Sequence, residues 1–234
     1  MYQFRNVDIH FEETNHIYSL LNDPEIKFIS CTEFVEFFFE PFESLKIATK
    51  LVNSVPKYRN RTVDSLIREW NKAAQDGTAV HGEMENYINN NILPKSSKGL
   101  QGVKWFKKHD AKSSCEYLTE VIVYSKEIEV AGTIDLVSYN PISNTYSIID
   151  WKTTKKVETC SYRGKRGIKP PSYDLMDCNY IHYSLQLSLY RYILEKYYGL
   201  KVEKLLMIHL LEYDYAEYQC DYLQSDIIEM LSYM

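Results

Sequence analysis

The stretch of sequence that decides the fold is EVIVYSKEIEVAGTIDLVSYNPISNTYSIIDWKT, which runs from Glu120 to Thr153. It contains three short apolar or β-branched runs. A weak turn signal lies at residues 125–126, and strong ones lie at residues 140–141 and 143–144. The pattern therefore predicts three consecutive strands that are joined by short turns.

Two carboxylates and a lysine stand on these predicted strands. Asp135 lies inside the second run, Asp150 ends the third run, and Lys152 follows two residues later. Because successive side chains of a strand alternate between its faces, Asp150 and Lys152 should point to one side and Trp151 to the other. A carboxylate at the end of a buried strand is unusual unless it is paired or binds a metal.

Two acidic groups beside an ammonium suit the hydrolysis of a phosphodiester bond. Carboxylates can hold hard divalent cations, which polarise phosphate, and an ammonium can orient or help to deprotonate the attacking water and stabilise the transition state. The residues alone leave a second interpretation open. In that interpretation Asp135 is a turn residue, and Asp150 and Lys152 form an ordinary ion pair on the surface.

Length and composition indicate one domain with an elaboration. The chain has 234 residues, of which 45% are hydrophobic, and a formal net charge of −5. An acidic balance argues against a generally basic nucleic-acid coat, so any contact with nucleic acid must come from a local patch. The five cysteines are scattered and form no C-x-x-C, which is typical of a reducing compartment. No signal peptide or membrane-length apolar run is visible, so we expect a soluble intracellular protein in the cytoplasm, the nucleus or a site of virus replication.

The N-terminal part is predicted to form a hairpin followed by a short helix. Residues 1–29 predict a hairpin or extended arm around a polar turn. Ser30 and Glu33 have the spacing of a capping box in front of a phenylalanine-rich segment, so a short helix that ends at Pro41 is expected.

Two helices are expected on either side of Gly77. The apolar spacing from Thr62 predicts the first, and the second should run from Thr78 toward Asn91. On the second helix His81 and Glu85 lie four residues apart and therefore share a face. Taken alone, such a pair is more often a surface pair or a buried histidine with a partner than a functional group.

A further helix is predicted from Asn179 to Tyr198. On it Gln186 and Tyr190 share one face with His182. That face could line the core, but a glutamine within it needs a polar partner. The other predicted elements are a polar connection with a short helix at 92–116, strands at 202–211 and 218–222, and a last helix at 225–233.

A basic loop is predicted between residues 153 and 177. A loop of this length indicates function, and its bases alternate with tyrosines, as in surfaces that follow a nucleic-acid backbone. An ordinary solvated loop is the alternative. The candidate nucleic-acid-binding residues are Lys155, Lys156, Arg163, Lys165, Arg166 and Lys169.

The order of these motifs resembles that of the PD-(D/E)XK nuclease superfamily, in its RecB-like exonuclease branch. The matching segments are GTAVH at 77–81 with Glu85, GTID at 132–135, IDWKT at 149–153 and QLSLY at 186–190. They lie on predicted elements of the right type and in the right order. The mitochondrial genome maintenance exonuclease and the phage-type exonucleases are the more similar members, because the motifs of a helicase motor are missing.

The resemblance implies an α/β fold with a restriction-endonuclease-like core, consisting of a helix, a three-strand meander, a helix and a strand. This core would occupy residues 62–234, with an N-terminal arm and helical elaboration at 1–61 packed on it. It also implies one or two Mg²⁺ or Mn²⁺ ions. The implied metal ligands are His81, Asp135, Asp150 and the main-chain carbonyl of Ile149. The implied catalytic residues are Asp135, Asp150, Lys152, Gln186 and Tyr190, with supporting roles for Glu85 and Glu120.

Some relatives bind an iron–sulfur cluster through one early and three late cysteines. Here only Cys220 follows the predicted Gln186 helix, so no cluster is expected. The expected function is that of a metal-dependent nuclease that cuts DNA, as an exonuclease on ends or single strands in repair, recombination or replication. A chain rich in Tyr, Asn, Ile and Lys also suits an AT-rich viral genome. The alternatives are an endonuclease for DNA or RNA and an inert nucleic-acid-binding module; no membrane partner is expected, and the oligomeric state is left open.

Overall fold

The computed structural model describes residues 8–12, 15, 17–110 and 114–234, which form a mixed α/β fold. The helices are α1 (Cys31–Glu36), α2 (Ser44–Ser54), α3 (Val63–Asn90), α4 (Ser97–Asp110), α5 (Asn179–Tyr197) and α6 (Gln224–Tyr233). The strands are β1 (Ile9–Glu12), β2 (Ile17–Leu20), β3 (Ile29–Ser30), β4 (Glu116–Ser125), β5 (Val130–Asn140), β6 (Thr145–Lys152), β7 (Val202–Leu210) and β8 (Tyr215–Gln219).

The main sheet is built around the predicted three-strand meander. Strands β4, β5 and β6 pair antiparallel in sequence order, β7 pairs parallel to β6, and β8 pairs antiparallel to β7. At the β5–β6 turn, the side chain of Asn140 accepts hydrogen bonds from the main-chain N–H groups of Ile142 and Ser143, while Asn144 adopts a left-handed φ of 52°. The two asparagines therefore form the turn that the sequence predicts between β5 and β6.

One edge of β5 contains a gap. Strand β4 pairs with one edge of β5 along residues 130–139. The other two strands that pair with β5, which are β3 and β6, must therefore share its opposite edge. On that edge β6 reaches only as far as Leu136, and the two-residue strand β3 pairs parallel at Val130 and Ala131. The edge at residues 132–135 is thus left open between β6 and β3.

Within the described part of the chain, three hydrophobic clusters hold the layers together. The first packs α1, α5 and α6 on one face of the sheet, and the second packs α3 and α4 on the other. The third lies beneath the β1–β2 hairpin. Trp151 belongs to the second cluster, whereas Lys152 contacts α5 and pairs with Asp150, which confirms the alternation of faces predicted for β6.

The N-terminal hairpin and the first helix are confirmed. Strands β1 and β2 pair antiparallel, although residues 1–7, 13, 14 and 16 of the predicted arm and its turn lie outside the described residues. The capping box is present, since Ser30 Oγ accepts from the Glu33 amide at 3.1 Å and the Ser30 amide donates to the Glu33 carboxylate at 3.0 Å. Helix α1 already ends at Glu36, before Pro41.

The predicted break at Gly77 is wrong, because α3 runs unbroken from Val63 to Asn90. Gly77 is needed instead for close packing, since a Cβ atom there would lie 2.8 Å from Thr153 Oγ1 at the end of β6. The helix ends at Asn91, whose left-handed φ of 55° is a common way to close a helix.

The bounds of α4 and β8 also differ from those predicted. Helix α4 has fourteen residues and starts at Ser97, inside the segment predicted as a polar connection. Strand β8 ends at Gln219, whereas the predicted strand began at Tyr218. The basic loop contains two short 3-10 turns, at Tyr162–Gly164 and Pro170–Ser172. Among the described residues, no helix combines the length and the apolar composition that crossing a membrane requires.

Candidate active site

The gap in β5 opens into a cavity of about 230 Å³. Residues from α3, β4, β5, β6 and α5 meet there, together with Phe11 and Tyr18 of the N-terminal hairpin. The predicted site residues that line this cavity are His81, Glu120, Asp135, Asp150, Lys152, Gln186 and Tyr190.

Asp135 is held between β6 and α3. Its Oδ2 accepts a hydrogen bond from the main-chain N–H of Trp151 at 2.7 Å, and its Oδ1 lies 3.3 Å from His81 Nδ1. His81 follows Gly77 by one helical turn, so the close approach of Gly77 to β6 brings the imidazole within reach of the strand carboxylates. The resemblance implied that this helix and these strands would converge, and His81 does lie next to Asp135.

Glu120 completes a group of three candidate metal ligands. It lies in β4 opposite Asp135, since the neighbouring pairs in the ladder are Thr119 with Leu136 and Val121 with Ile134. Ligand atoms of His81, Glu120 and Asp135 all lie within 4.8 Å of one another. Glu120 has a φ of 48°, a strained left-handed conformation for a non-glycine residue, and such strain in a strand is characteristic of functional sites.

A hydrogen-bonded chain orders the other side of the cavity. The Lys152 ammonium lies 3.0 Å from Oδ1 and 2.8 Å from Oδ2 of Asp150, but only the Oδ1 contact has hydrogen-bond geometry. The same ammonium lies 3.5 Å from Gln186 Oε1, and Gln186 Nε2 donates to the Tyr190 hydroxyl at 3.1 Å. Tyr190 in turn donates to the main-chain carbonyl of Thr133 at 2.8 Å.

Tyr183 is a site residue that sequence reasoning missed. The Lys152 ammonium lies 4.5 Å from the centre of the Tyr183 ring, in a cation–π contact. Tyr183 precedes Gln186 by three residues on α5, so helical spacing from Gln186 was the available signal.

The ionisation of His81 and Asp135 is coupled by their contact. Burial alone would lower the pKa of His81, but the carboxylates of Asp135 and Asp150 outweigh it and raise the pKa to about 9. Burial alone would raise the pKa of Asp135; the His81 and Lys152 cations and the Trp151 amide nevertheless hold it below its usual value. The pair is therefore an imidazolium and a carboxylate at neutral pH when no metal is bound.

Asp150 and Lys152 respond to the same surroundings in a different way. Burial raises the pKa of Asp150 to about 6, with Lys152 opposing the shift and the nearby Asp135 charge adding to it. Burial would lower the pKa of Lys152, but Asp150 and Asp135 outweigh it and leave the pKa above its usual value. Lys152 is therefore an ammonium at neutral pH.

Two predicted residues are placed differently from what was expected. No hydrogen bond or ion pair joins Glu85 to His81 among the described residues; His81 pairs with Asp135. Ile149 pairs with Leu136 across the ladder. The N–H and C=O groups of one strand residue point to the same edge of the strand. The N–H of Trp151 points to Asp135 in the gap, so we infer that the Trp151 carbonyl also faces the gap. The Ile149 carbonyl instead lies within the ladder between β5 and β6.

The predicted basic residues are mostly engaged in contacts of their own. Their partners are Glu69 for Lys155, Glu158 for Lys156, the Tyr162 ring for Arg163, Glu40 for Lys165, the Asp174 carbonyl for Arg166 and the Phe37 ring for Lys169. The loop is also anchored to the N-terminal part, since the Ile168 amide donates to the Phe38 carbonyl at 2.8 Å. Of the six, Lys155 alone lines the large cleft described next.

A cleft of about 1150 Å³ adjoins the cavity and shares His81, Glu120 and Lys152 with it. One wall is the exposed middle of α3 with Trp70, and the other includes Lys155 and the end of β6. The candidate catalytic residues therefore lie where a small cavity meets a much larger open cleft.

Comparisons with known proteins add little to this geometry. No family model matches the chain, and no curated protein matches it significantly. The crystal structure of a protein named SSO0001 aligns at 14% identity with a TM-score of 0.40, covering 99% of this chain and 80% of that one. A likeness at this level supports no argument about fold or function.

Proposed function

We propose that this protein is a Mg²⁺- or Mn²⁺-dependent nuclease with a restriction-endonuclease-like core of the RecB-like type. The observed order of α3, the β4–β5–β6 meander, α5 and a parallel β7 supports the proposal, because it is the order that the resemblance implies. The site residues supplied by these elements are those that the motifs pointed to.

The observation that carries the proposal is the convergence of His81, Asp135, Asp150 and Lys152 on one cavity. These residues come from a helix and two strands that separate at that point. Two buried carboxylates, an imidazole and an ammonium are costly to place together unless they serve a ligand or a reaction. A purely structural role would be served at lower cost by apolar side chains.

The donor set fits a hard divalent cation. Carboxylate oxygens suit Mg²⁺ or Mn²⁺, whereas an imidazole is a ligand more typical of transition metals, so the single imidazole favours Mn²⁺ of the two. Ligands that occupy adjacent octahedral positions at Mg²⁺ distances lie about 3 Å apart, and His81 Nδ1 and Asp135 Oδ1 are separated by 3.3 Å. Among the described residues, Oδ2 of Asp150 is buried and has no partner with hydrogen-bond geometry, and its close contact is the Lys152 ammonium at 2.8 Å, so a cation there would have to share this oxygen with Lys152. The Trp151 carbonyl is the best-placed main-chain ligand.

When bound, the cation would polarise the scissile phosphate and lower the pKa of the attacking water. Lys152, held by Asp150, Gln186 and Tyr183, provides a fixed positive charge for the phosphoryl oxygens in the transition state. Its raised pKa favours this role over that of a general base.

Tyr190 contacts Gln186 and the Thr133 carbonyl, so it is a positioning residue. The expected products carry a 5′-phosphate and a 3′-hydroxyl.

Cleavage of end-labelled oligonucleotides tests the proposal. The panel contains linear and circular single strands, a duplex and an RNA strand, each with Mg²⁺, Mn²⁺ or a chelator. Wild type should cut at least one substrate only when metal is present, and an exonuclease should spare the circle. Asp150→Asn and Lys152→Ala should each slow cleavage by at least about a hundredfold.

The control for the lysine variant is Lys204→Ala, because Lys204 is exposed on β7. It should cut like wild type, and all variants should keep the wild-type circular dichroism spectrum. Cleavage that survives unchanged in Lys152→Ala, or a wild type that cuts nothing in the panel, would contradict the proposal.

A further inference from the structure

The cleft beside the active site has an aromatic wall that the nuclease assignment does not use. Its first side consists of the end of β6 and the following residues, with Lys152 and Lys155. Its second side is the first half of α3, with Trp70, and the 3-10 turn Pro56–Tyr58, whose Tyr58 also lines the cleft. A substrate that reaches Lys152 from this side must pass between the two walls.

Trp70 is placed as a contact residue rather than as a core residue. It is half-buried, and it belongs to none of the three hydrophobic clusters formed by the described residues. Its ring makes an edge contact with Phe42, whose ring centre is 5.3 Å away and which is itself exposed. Trp70 precedes His81 by eleven residues on one unbroken helix, which corresponds to about 16 Å along the axis.

The charge around the cleft favours an anionic polymer. The whole chain carries a net charge of −5, but four lysines line this cleft, against three acidic residues of which Glu120 belongs to the candidate metal site. These lysines are Lys72, Lys98, Lys152 and Lys155. Two of the lysines are in exposed ion pairs, Lys155 with Glu69 across the cleft at 2.9 Å and Lys72 with Asp76 at 3.2 Å. A phosphate could replace either partner at little cost.

We propose that Trp70 and Tyr58 form a stacking subsite for the bases of a single-stranded polynucleotide whose backbone runs along these lysines to the active site. Aromatic faces beside a basic groove are the arrangement with which proteins hold single strands without reading their sequence. An intact duplex does not expose base faces for stacking, so it should not use this subsite. The proposal deepens the nuclease assignment and rests on it for its biological role.

Binding in a chelator-containing buffer tests the subsite separately from catalysis. The probes are a twelve-residue oligothymidylate, the oligouridylate of the same length and a blunt duplex. The other two tryptophans, Trp105 and Trp151, are only 2% and 1% exposed. Because Trp151 also lines the cleft, quenching of tryptophan fluorescence by a single strand reports on Trp70 to the extent that Trp70→Phe abolishes it. The two single strands show whether the sugar or the thymine methyl group matters.

The variants are compared by the anisotropy of labelled oligothymidylate. Trp70→Ala should weaken binding by roughly five- to hundredfold, and Trp70→Phe, which retains a ring, should weaken it less. The control Tyr213→Ala removes an aromatic side chain that is 91% exposed at the β7–β8 turn and does not line the cleft, and it should bind like wild type. Circular dichroism establishes that each variant is folded.

Unchanged affinity in folded Trp70→Ala, or tighter binding of the duplex than of the single strands, would overturn the subsite. These outcomes differ from a failure of the nuclease assignment. A protein that binds single strands through Trp70 but cuts nothing would retain the subsite and lose the catalytic proposal. A protein that cuts DNA but binds single strands equally well without Trp70 would retain the catalytic proposal and lose the subsite.

Discussion

The carboxylate of Asp135 joins two elements that are far apart in sequence, because Oδ2 accepts the Trp151 amide at 2.7 Å and Oδ1 meets His81 Nδ1 at 3.3 Å. Asp135 thus crosses the gap that opens where β6 leaves β5. The hydrogen bond from β6 fixes the rotation of the carboxylate, and the free edge of β5 leaves room for a ligand beside it. The predictions below follow from this arrangement.

The stability of the metal-free protein should fall as the pH rises from about 6 to 9. The pKa of His81 is raised from 6.5 to about 9, so its contribution is complete below pH 6.5 and is lost as the pH rises through 9. The pKa of Asp150 is also raised, to about 6, because burial disfavours its charged form. Ionisation of Asp150 therefore also lowers the stability of the folded protein as the pH rises, but it does so at lower pH than His81. The His81 contribution is at most on the order of 3 kcal/mol.

Urea unfolding in a chelator-containing buffer at pH 6 and pH 9 measures this effect. His81→Gln cannot take up the proton, so the dependence of its unfolding free energy on pH should be clearly smaller over this range. If wild type and His81→Gln lose the same stability between the two pH values, the close contact between His81 and Asp135 is not present in solution.

Tyr183 should matter for turnover through its ring and not through its hydroxyl. The Lys152 ammonium lies 4.5 Å from the ring centre, and a cation–π contact at a desolvated site is worth about 2 kcal/mol or more. Tyr183→Phe retains the ring and should keep kcat within about threefold, whereas Tyr183→Ala should lower kcat by about tenfold or more. Steady-state kinetics on the best oligonucleotide substrate, with kcat and KM resolved, would show the difference. Equal loss in both variants would mean that the hydroxyl is the important group.

Two glycines of α3 should respond differently to replacement by alanine. A Cβ atom at Gly82 meets nothing within 4 Å, so Gly82→Ala should stabilise the helix by about 0.5–1 kcal/mol. At Gly77 the added Cβ would lie 2.8 Å from Thr153 Oγ1, which should cancel or reverse that gain. Unfolding free energies of the single variants, and of Gly77→Ala combined with Thr153→Ala, measure both effects. The double variant should recover the stability that Gly77→Ala alone fails to gain. If Gly77→Ala alone stabilises the protein as much as Gly82→Ala does, α3 lies farther from β6 than in this structure.

The elements that local chemistry determines were predictable from the sequence. Alternating apolar runs with strong turn residues gave β4, β5 and β6, and the capping box at Ser30 and Glu33 gave the start of α1. The site residues on these strands follow from the same regularity, because Asp150 and Lys152 share a face as soon as β6 is a strand. Placing His81 and Gln186 beside them depended on the resemblance of the motif order to a known nuclease family.

Features that depend on contacts distant in sequence were not predictable. Strand β3 has two residues and exists because β5 offers it a free edge. Gly77 was read as a helix break, since a single sequence does not show that Thr153 packs against it. The ion pairs of the basic loop were not predictable either, because partners such as Glu40 and Glu69 lie more than 80 residues earlier in the chain.

Titration of the metal-free protein with Mn²⁺ in a calorimeter tests the central claim most directly, because it asks whether residues from α3, β5 and β6 bind one cation together. Wild type should bind Mn²⁺ and release protons near pH 7.5, since the metal displaces the proton of His81. Asp135→Asn and His81→Gln should each weaken binding by at least about tenfold, whereas Glu229→Gln, on the exposed face of α6, should bind like wild type. Wild type that shows no binding heat, or an Asp135→Asn variant with wild-type affinity, would contradict the account.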